Sequence, residues 1–559
     1  PTAPRPANAR EETVMPDHPR YHSQVLDHLG LVAGMFDELG IGEVLDQATQ
    51  QDPAMRDLTV GEAVKAMVLN GLGFINHALY LVPRFFNNKP TDRLISPRVA
   101  PAQLNDDALG RALHTLYKYG VTELYSLIAV RAAKRLGLAP TFVHLDTTSF
   151  HVDGRYNSDE APDEQVVPIT RGYSRDHRSD LNQVMLELMV EHQAGIPVLM
   201  KPLSGNSSDG QEFGHVIKEH MAQLHTTYGT TYLVADSALY SDANLQQLAK
   251  TQIKWITRVP ATLNDAQAAL AQATPQAMQP LTEGYRYHAL TSTYGGVEQR
   301  WLLIASEPRQ PQARHTVDKH LLKQSDQEIK AWKKLCGTAF ACEADAQQAL
   351  ARFAHGVQAT YLHTSTVRTQ PRYSKRGRPG RDAQPDQVCY QVEGALASSL
   401  AVRQGLVDQH SCFILATNEL DETQLSPHEV LQGYKGQGHA ERGFRFLQDP
   451  QFLAAALYLK KPERIMALLM VMTVCLLVYA SLEYRIRQAL KAHGATFPDQ
   501  KGKRIHNPTA RWVFQYFVGI HVLCQADQWS IVLNLTEEQQ NLLRLLGQPY
   551  MRFYDVQYS

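Results

Sequence analysis

With 559 residues, 44% of them apolar, the chain has ample material for real hydrophobic cores, and several domains are expected. Its 55 Lys and Arg stand against 56 Asp and Glu, a formal net charge of −1. That balance excludes a global basic field that recruits nucleic acid, so any such contact has to come from local clusters. Cys336, Cys342, Cys389, Cys412, Cys475 and Cys524 form no CxxC pair and no zinc-like spacing with histidine. They read as thiols of a reducing cytosol, and no signal peptide is visible.

Residues 1–22 are Pro-rich, charged and poor in large apolar side chains, the composition of a flexible leader. From 23 to 138 the pattern is helical. Leu26, Leu29, Val32, Met35, Phe36 and Leu39 recur at three or four until Gly40 stops the run. Thr59-Val-Gly-Glu62 matches a capping box and opens a helix over 63–72. Further helices are expected over 107–119 and 123–136, the second ending on Arg131, Lys134, Arg135 and Gly137.

From 139 to 258 strands and helices alternate as in an α/β core. Strands are predicted at 141–150, 182–192, 196–203, 231–235 and 253–258, with helices near 210–226 and 241–250. Thr141-Phe-Val-His-Leu-Asp146 is a strand that ends in an acid followed by hydroxyl residues. Thr231-Tyr-Leu-Val-Ala-Asp236 repeats the arrangement, with Ser241 placed to cap the next helix. Each aspartate closes an apolar run, where a sheet hands its side chains to a crevice; a lone one is more often a turn or cap residue. Between them Arg171, Arg175, Asp176, His177, Arg178 and Asp180 either hold phosphates near Asp146 or form a surface ion-pair cluster.

Beyond Pro260 the core pattern breaks off, and a largely β subdomain inserted over 259–410 is expected. Two apolar runs around Gly295-Gly296 predict a hairpin spanning 285–304. Helices follow over 317–335 and 343–353, then a strand over 388–396. Trp301 lies in the hairpin and reads either as core or as a stacking platform for an extruded base. The stretch from Pro371 to Arg381 includes Lys375, Arg376 and Arg378. Its Arg376-Gly-Arg378-Pro379 resembles the core of an AT-hook, whose arginines enter the minor groove; the alternative is a solvated basic loop.

A strand resumes at 411–417, and Ser426-Pro-His-Glu429 starts a helix. If helical structure runs unbroken through Gln448, Tyr434, Gln437, Glu441 and Gln448 fall within about 60° of one another. Phe444 and Leu447 share that side or its edge, which puts the Glu441 carboxylate on an inward face. Such a group needs a cation, either Arg442 or Arg445 in a structural ion pair or a metal. Ile465–Ala480 is apolar enough to tempt a membrane reading but falls short of the ~20 residues a bilayer needs. Flanked by Arg464, Glu483, Arg485 and Arg487, it is expected to be a buried core helix. Residues 491–559 read as a helical tail that pairs subunits or braces the core.

Asp146, Asp236 and Glu441 together resemble the acids of a DDE transposase. Within that class the chain is similar to the bacterial insertion-sequence-four superfamily with its Y-(2)-R-(3)-E-(6)-K signature. Here the signature reads Tyr434-(2)-Gln437-(3)-Glu441-(6)-Gln448, so both expected cations are Gln, and Lys435, Arg442 and Arg445 would take over part of their work. The likeness extends to Leu145–Phe150, Gly172–Arg178 with Asp180–Gln183, Gly205–Asp209 and Val234–Asp236.

The resemblance implies an α/β fold, an RNase H-like mixed sheet with flanking helices. An all-helical DNA-binding domain at 23–138 would precede it, with core parts at 139–258 and 411–490 around the insertion. It also implies two Mg²⁺ ions, with Mn²⁺ as substitute, Asp146 bridging them and Asp236 and Glu441 each holding one. DNA contacts would come from Tyr434, Lys435, Gln437, Arg442, Arg445, Gln448, Arg175, Arg178, Lys375, Arg376 and Arg378. Partners would be double-stranded element ends and target DNA, engaged by a homodimer in a bacterial cytoplasm, on the nucleoid when bound to DNA. Two alternatives share these residues, a nuclease that performs no strand transfer and an inactive DNA-binding descendant.

Overall fold

In the computed structural model, placement is described for residues 21–50, 57–73, 79–152, 166–172, 180–207, 213–373, 384–449, 459, 461–525 and 529–557. Two compact units emerge, one from 1–238, 251–253 and 435–559, the other from 239–250 and 254–434.

The first unit is built around the helix Pro462–Ala492. Its run from Ile465 to Val478 is apolar on every side and is buried on nearly every side, as such a helix must be in water. Helices Leu29–Glu38, Val60–Gly71, Asp106–Tyr119 and Val121–Leu136 pack on it, as does the strand Pro197–Leu203. Although long and apolar enough to cross a membrane, the helix has 83% of its most apolar window inside the fold, the core-helix expectation. The capping box forms as read: Thr59 Oγ1 accepts the Glu62 amide at 3.1 Å, and Glu62 Oε2 accepts the Thr59 amide at 2.9 Å.

Two expectations for this unit need correction. The first domain is not all helical and the tail is not simply helical. Tyr21–Val25 pairs antiparallel with His521–Gln525, which in turn pairs with Trp529–Leu533. Nor do the ends form separate domains. A Cβ on Gly30 would stand 2.6 Å from the Tyr554 ring and one on Gly34 2.7 Å from the Tyr550 ring, so the tail packs directly on the first helix. Tyr554 also donates its hydroxyl to the Asp27 carbonyl at 2.6 Å.

The strands of this unit run in the order Pro197–Leu203, Asn182–Glu191, Phe142–Val152, Tyr232–Ala235. The first two junctions are antiparallel and the last is parallel, so the sheet is mixed. The buried Glu191 carboxylate closes one turn by accepting the amides of Gln193 and Ala194 at 2.6 Å and of Ile196 at 3.1 Å.

In the second unit Lys254–Arg258, Cys412–Thr417, Gln299–Ser306, Tyr285–Ser292 and Gln279–Thr282 lie side by side, all antiparallel. The predicted hairpin forms, with Gly295 and Gly296 at φ 67° and 71°, values that favour glycine. It pairs with Cys412–Thr417, however, and so belongs to this sheet and not to a detached insertion. The insertion proper runs from the helix Gln310–Gly337 to the helix Leu400–Ser411 and is mixed α/β, which corrects the largely β expectation. Its three strands are ordered Ala339–Phe340, Gln387–Ser398, Thr360–Arg372, with the helix Glu343–Gly356 against them. The Glu328 carboxylate, on the first helix, accepts the amides of Gln358 at 2.8 Å, Ala359 at 3.0 Å and Thr360 at 2.8 Å, pinning the start of the long strand.

Candidate active site

The strand Phe142–Val152 presents alternate residues to opposite faces, so His144, Asp146 and Thr148 share one. Its parallel neighbour sets Phe142 beside Tyr232, Val143 beside Leu233 and His144 beside Val234. Continued by two residues, that register carries Asp146 to Asp236, one position past the end of Tyr232–Ala235. Paired strands run about 4.8 Å apart, so this continuation puts the two aspartates at neighbouring backbone positions. Asp146 is not at the end of its own strand, as the sequence suggested; it sits where its neighbour stops. Asp146 Oδ1 accepts the Thr147 amide at 2.8 Å, and Asp236 Oδ1 accepts the Ala238 amide at 2.9 Å. Asp146 is half-buried and Asp236 exposed.

The continuous helix expected through Gln448 is interrupted. Pro427–Lys435 ends before Gly436, and a new helix, Gly438–Leu447, starts with Gln437 as its cap. Glycines on both sides of Gln437 weaken helix continuity there. The new helix buries Gly443, Phe444 and Leu447, whereas the Glu441 side chain is 58% exposed, so the inward-facing carboxylate is also corrected. It pairs with Arg445 at 3.6 Å, one turn on. With both partners exposed, such a pair contributes little, about 0–1 kcal/mol.

On this helix Glu441 and Gln448 point within about 20° of each other, seven residues being almost two turns. Gln448 donates from Nε2 to Thr148 Oγ1 at 2.9 Å. The stripe that carries Glu441 is therefore tied to the sheet face that carries Asp146, two residues from it along the strand. Among the described residues no three His, Cys, Asp or Glu side chains converge as a ready-made metal site. The three acids offer hard carboxylate oxygens, donors of the kind that divalent cations take.

Of the other predicted contacts, Lys435 is exposed, while Gln437 is buried as the helix cap. Tyr434 lies against Phe413, ring centroids 6.3 Å apart. Arg442 and Arg445 open onto a cleft of about 730 Å³ that Phe446, Tyr479, Arg487 and Arg511 also line. The sequence reading noted Arg487 only as a flank of the apolar run and passed over Arg511, whose partner Asp449 stands 3.0 Å away. Arg175, Arg178, Lys375, Arg376 and Arg378, with Asp176 and His177, fall outside the described residues. Trp301 is 3% exposed, and its indole donates to the Tyr240 hydroxyl at 3.0 Å. That makes it a core residue and corrects the base-stacking expectation.

Two aspartates thus follow a parallel strand pair, and a helix bearing a glutamate is tied to the strand of the first, on a mixed α/β sheet. Residues 139–478 match the family described as Transposase DDE domain. Residues 21–130 match one described as a domain of unknown function, DUF4277. The first match spans more than half of the sequence, and the chain belongs to the DDE transposase family. No curated protein sequence matches it. Among solved structures, the cryo-EM structure of the piggyBac transposase synaptic complex with hairpin DNA aligns at TM-score 0.35 and 11% identity, covering 89% of this chain and 82% of that one. So loose a likeness assigns nothing to this chain.

Proposed function

We propose that this transposase binds the double-stranded ends of an insertion sequence, cleaves them, and joins the freed 3′ ends to target DNA by a cut-and-paste route on an RNase H-like sheet. The observation that supports the reading is the parallel register that pairs His144 with Val234, two residues before each aspartate, together with the Gln448–Thr148 bond between the Glu441 helix and the Asp146 strand. Asp146 would bridge two Mg²⁺ ions, Asp236 hold one and Glu441 the other, with Mn²⁺ as substitute. When bound, such a pair activates the attacking oxygen and stabilises the leaving one.

The chain's own part is to position and to grip. Glu441 exchanges its weak contact with Arg445 for the site, and Arg445 is then released toward phosphate. The two departures from the insertion-sequence-four signature gain a physical sense in this reading. Gln448 uses its amide to dock the helix, and Gln437 is buried at the helix start, so Lys435, Arg442 and Arg445 carry the positive charge. Two ends must be cut together, hence a homodimer on paired ends, in the bacterial cytoplasm and on the nucleoid. Light scattering with and without end DNA reads that assembly.

The direct test incubates the protein with its element ends and Mg²⁺ or Mn²⁺ and resolves the products on a denaturing gel. Asp146→Asn, Asp236→Asn and Glu441→Gln should each abolish cleavage and keep end binding. Metal-dependent nicking retained by any one of them removes that residue from the site. The glutamines at 437 and 448 favour a second reading, an inactive DNA-binding descendant, which any metal-dependent cleavage by the wild type eliminates.

A further inference from the structure

Several cations of the second unit sit in ion pairs. Arg300 faces Glu422 at 3.3 Å, Arg403 faces Asp318 at 2.6 Å and Lys254 faces Glu419 at 3.1 Å. Among the described residues Arg258 and Arg309 share no such pair, and both lie at one ring. Arg258 closes the strand Lys254–Arg258 opposite Leu415, on the face that also carries Phe413. Arg309 ends the single turn Glu307–Arg309 that follows the strand Gln299–Ser306. Strand order brings both to one ring: the Arg258 guanidinium carbon is 5.8 Å from the Phe413 centroid, that of Arg309 5.2 Å. Tyr434 lies against the same ring. Among the described residues neither guanidinium has a carboxylate within ion-pair distance.

Both arginines are half-buried. Burial, then the neighbouring charge of Arg258, pushes the Arg309 guanidinium below its ordinary range. Two like charges drawn out of water onto a shared aromatic platform are costly unless an anion completes the arrangement. Guanidinium is the side chain best shaped for phosphate, offering a planar fork of donors that a lysine lacks. An aromatic floor beneath it holds that fork in place.

We infer that Arg258, Arg309 and Tyr434, set around Phe413 within the second unit, form a phosphate-binding site that grips one strand of the DNA backbone. The assignment of DNA as its occupant rests on the transposase reading above. Neither arginine belongs to the signature, and each is isolated in the sequence.

The test uses the full-length chain and a fluorescent duplex, titrated by anisotropy at several salt concentrations. Each of Arg258→Gln and Arg309→Gln should remove one phosphate contact, lowering the slope of log affinity against log salt by about 0.9 and weakening binding roughly tenfold at 0.1 M salt. Melting temperature should stay level or rise, because a repulsion is relieved. Inorganic phosphate should raise the melting temperature of the wild type and not that of the double variant. Arg309→Lys should keep most of the slope, since the charge remains.

An unchanged slope in the double variant, with a lowered melting temperature, overturns the inference and leaves the arginines as covers for Phe413. A phosphate response without a change of slope overturns the assignment to DNA in favour of a free anion. A wild-type chain that binds no duplex at all fails the transposase reading and the strand assignment together. The phosphate-dependent shift then decides whether the arginine pair is an anion site.

Discussion

The bond from Gln448 Nε2 to Thr148 Oγ1 is a single tie between the Glu441 helix and the Asp146 strand, and its removal makes a sharp test. Thr148 is 3% exposed, so Gln448→Ala takes away a donor and leaves a buried hydroxyl without it. Losses of this kind cost about 1–3 kcal/mol. Phe444 and Leu447 keep the helix packed, so it should shift and not detach. A displacement of about 1 Å at a reacting group is enough to slow a reaction roughly 100-fold. Single-turnover cleavage of end DNA should therefore fall by about 10- to 100-fold in Gln448→Ala, with end binding nearly unchanged. Thr148→Val should show a similar fall, and the double variant should be no worse than either single one, because both remove the same bond. Additive losses would refute the coupling. Full activity in Gln448→Ala, alongside a dead Glu441→Gln, would show that the helix is held elsewhere.

Glu328→Gln should destabilise the inserted region by about 2 kcal/mol at neutral pH, read by hydrogen exchange along Thr360–Arg372. Burial pushes the Glu328 carboxyl up, but the donors of Gln358, Thr360, Ala359 and Gln324 outweigh it and bring it down to about 2 from an ordinary 4.5. A depressed carboxyl stabilises fully above its unfolded value and loses that contribution as pH falls from about 4.5 toward 2, so wild type and variant should converge in acid. Gly30→Ala should cost about 1–3 kcal/mol by overpacking against Tyr554, and chemical denaturation reads it. Gly137→Ala meets nothing within 4 Å, so its cost should come from its φ of 64° alone and be smaller, about 1 kcal/mol.

Local chemistry made much of the fold legible. The Thr59–Glu62 box, the Gly295-Gly296 hairpin and the burial of the long apolar helix each follow from a few adjacent residues. The two aspartates also stand out locally, each at the close of an apolar run. Three things stayed hidden for identifiable reasons. The strand Thr360–Arg372 is mostly exposed and turns only Thr360, Leu362 and Val367 inward, so it lacks the alternation by which strands are recognised. The break around Gln437 depends on two glycines whose combined effect outweighs a persuasive helical stripe. Arg258 and Arg309 meet only because Lys254–Arg258 and Gln299–Ser306 flank the same strand, Cys412–Thr417, a neighbourhood that no spacing in the sequence reveals.

The pairing of Tyr21–Val25 with His521–Gln525 bears on how the protein is made. During synthesis the early strand waits for a partner translated hundreds of residues later, and the first helix waits likewise for Tyr550 and Tyr554 to cover it. Contacts so distant along the polypeptide close slowly. A ribosome that stalls before Tyr554 would release a product with bare apolar surface, a ready target for proteolysis.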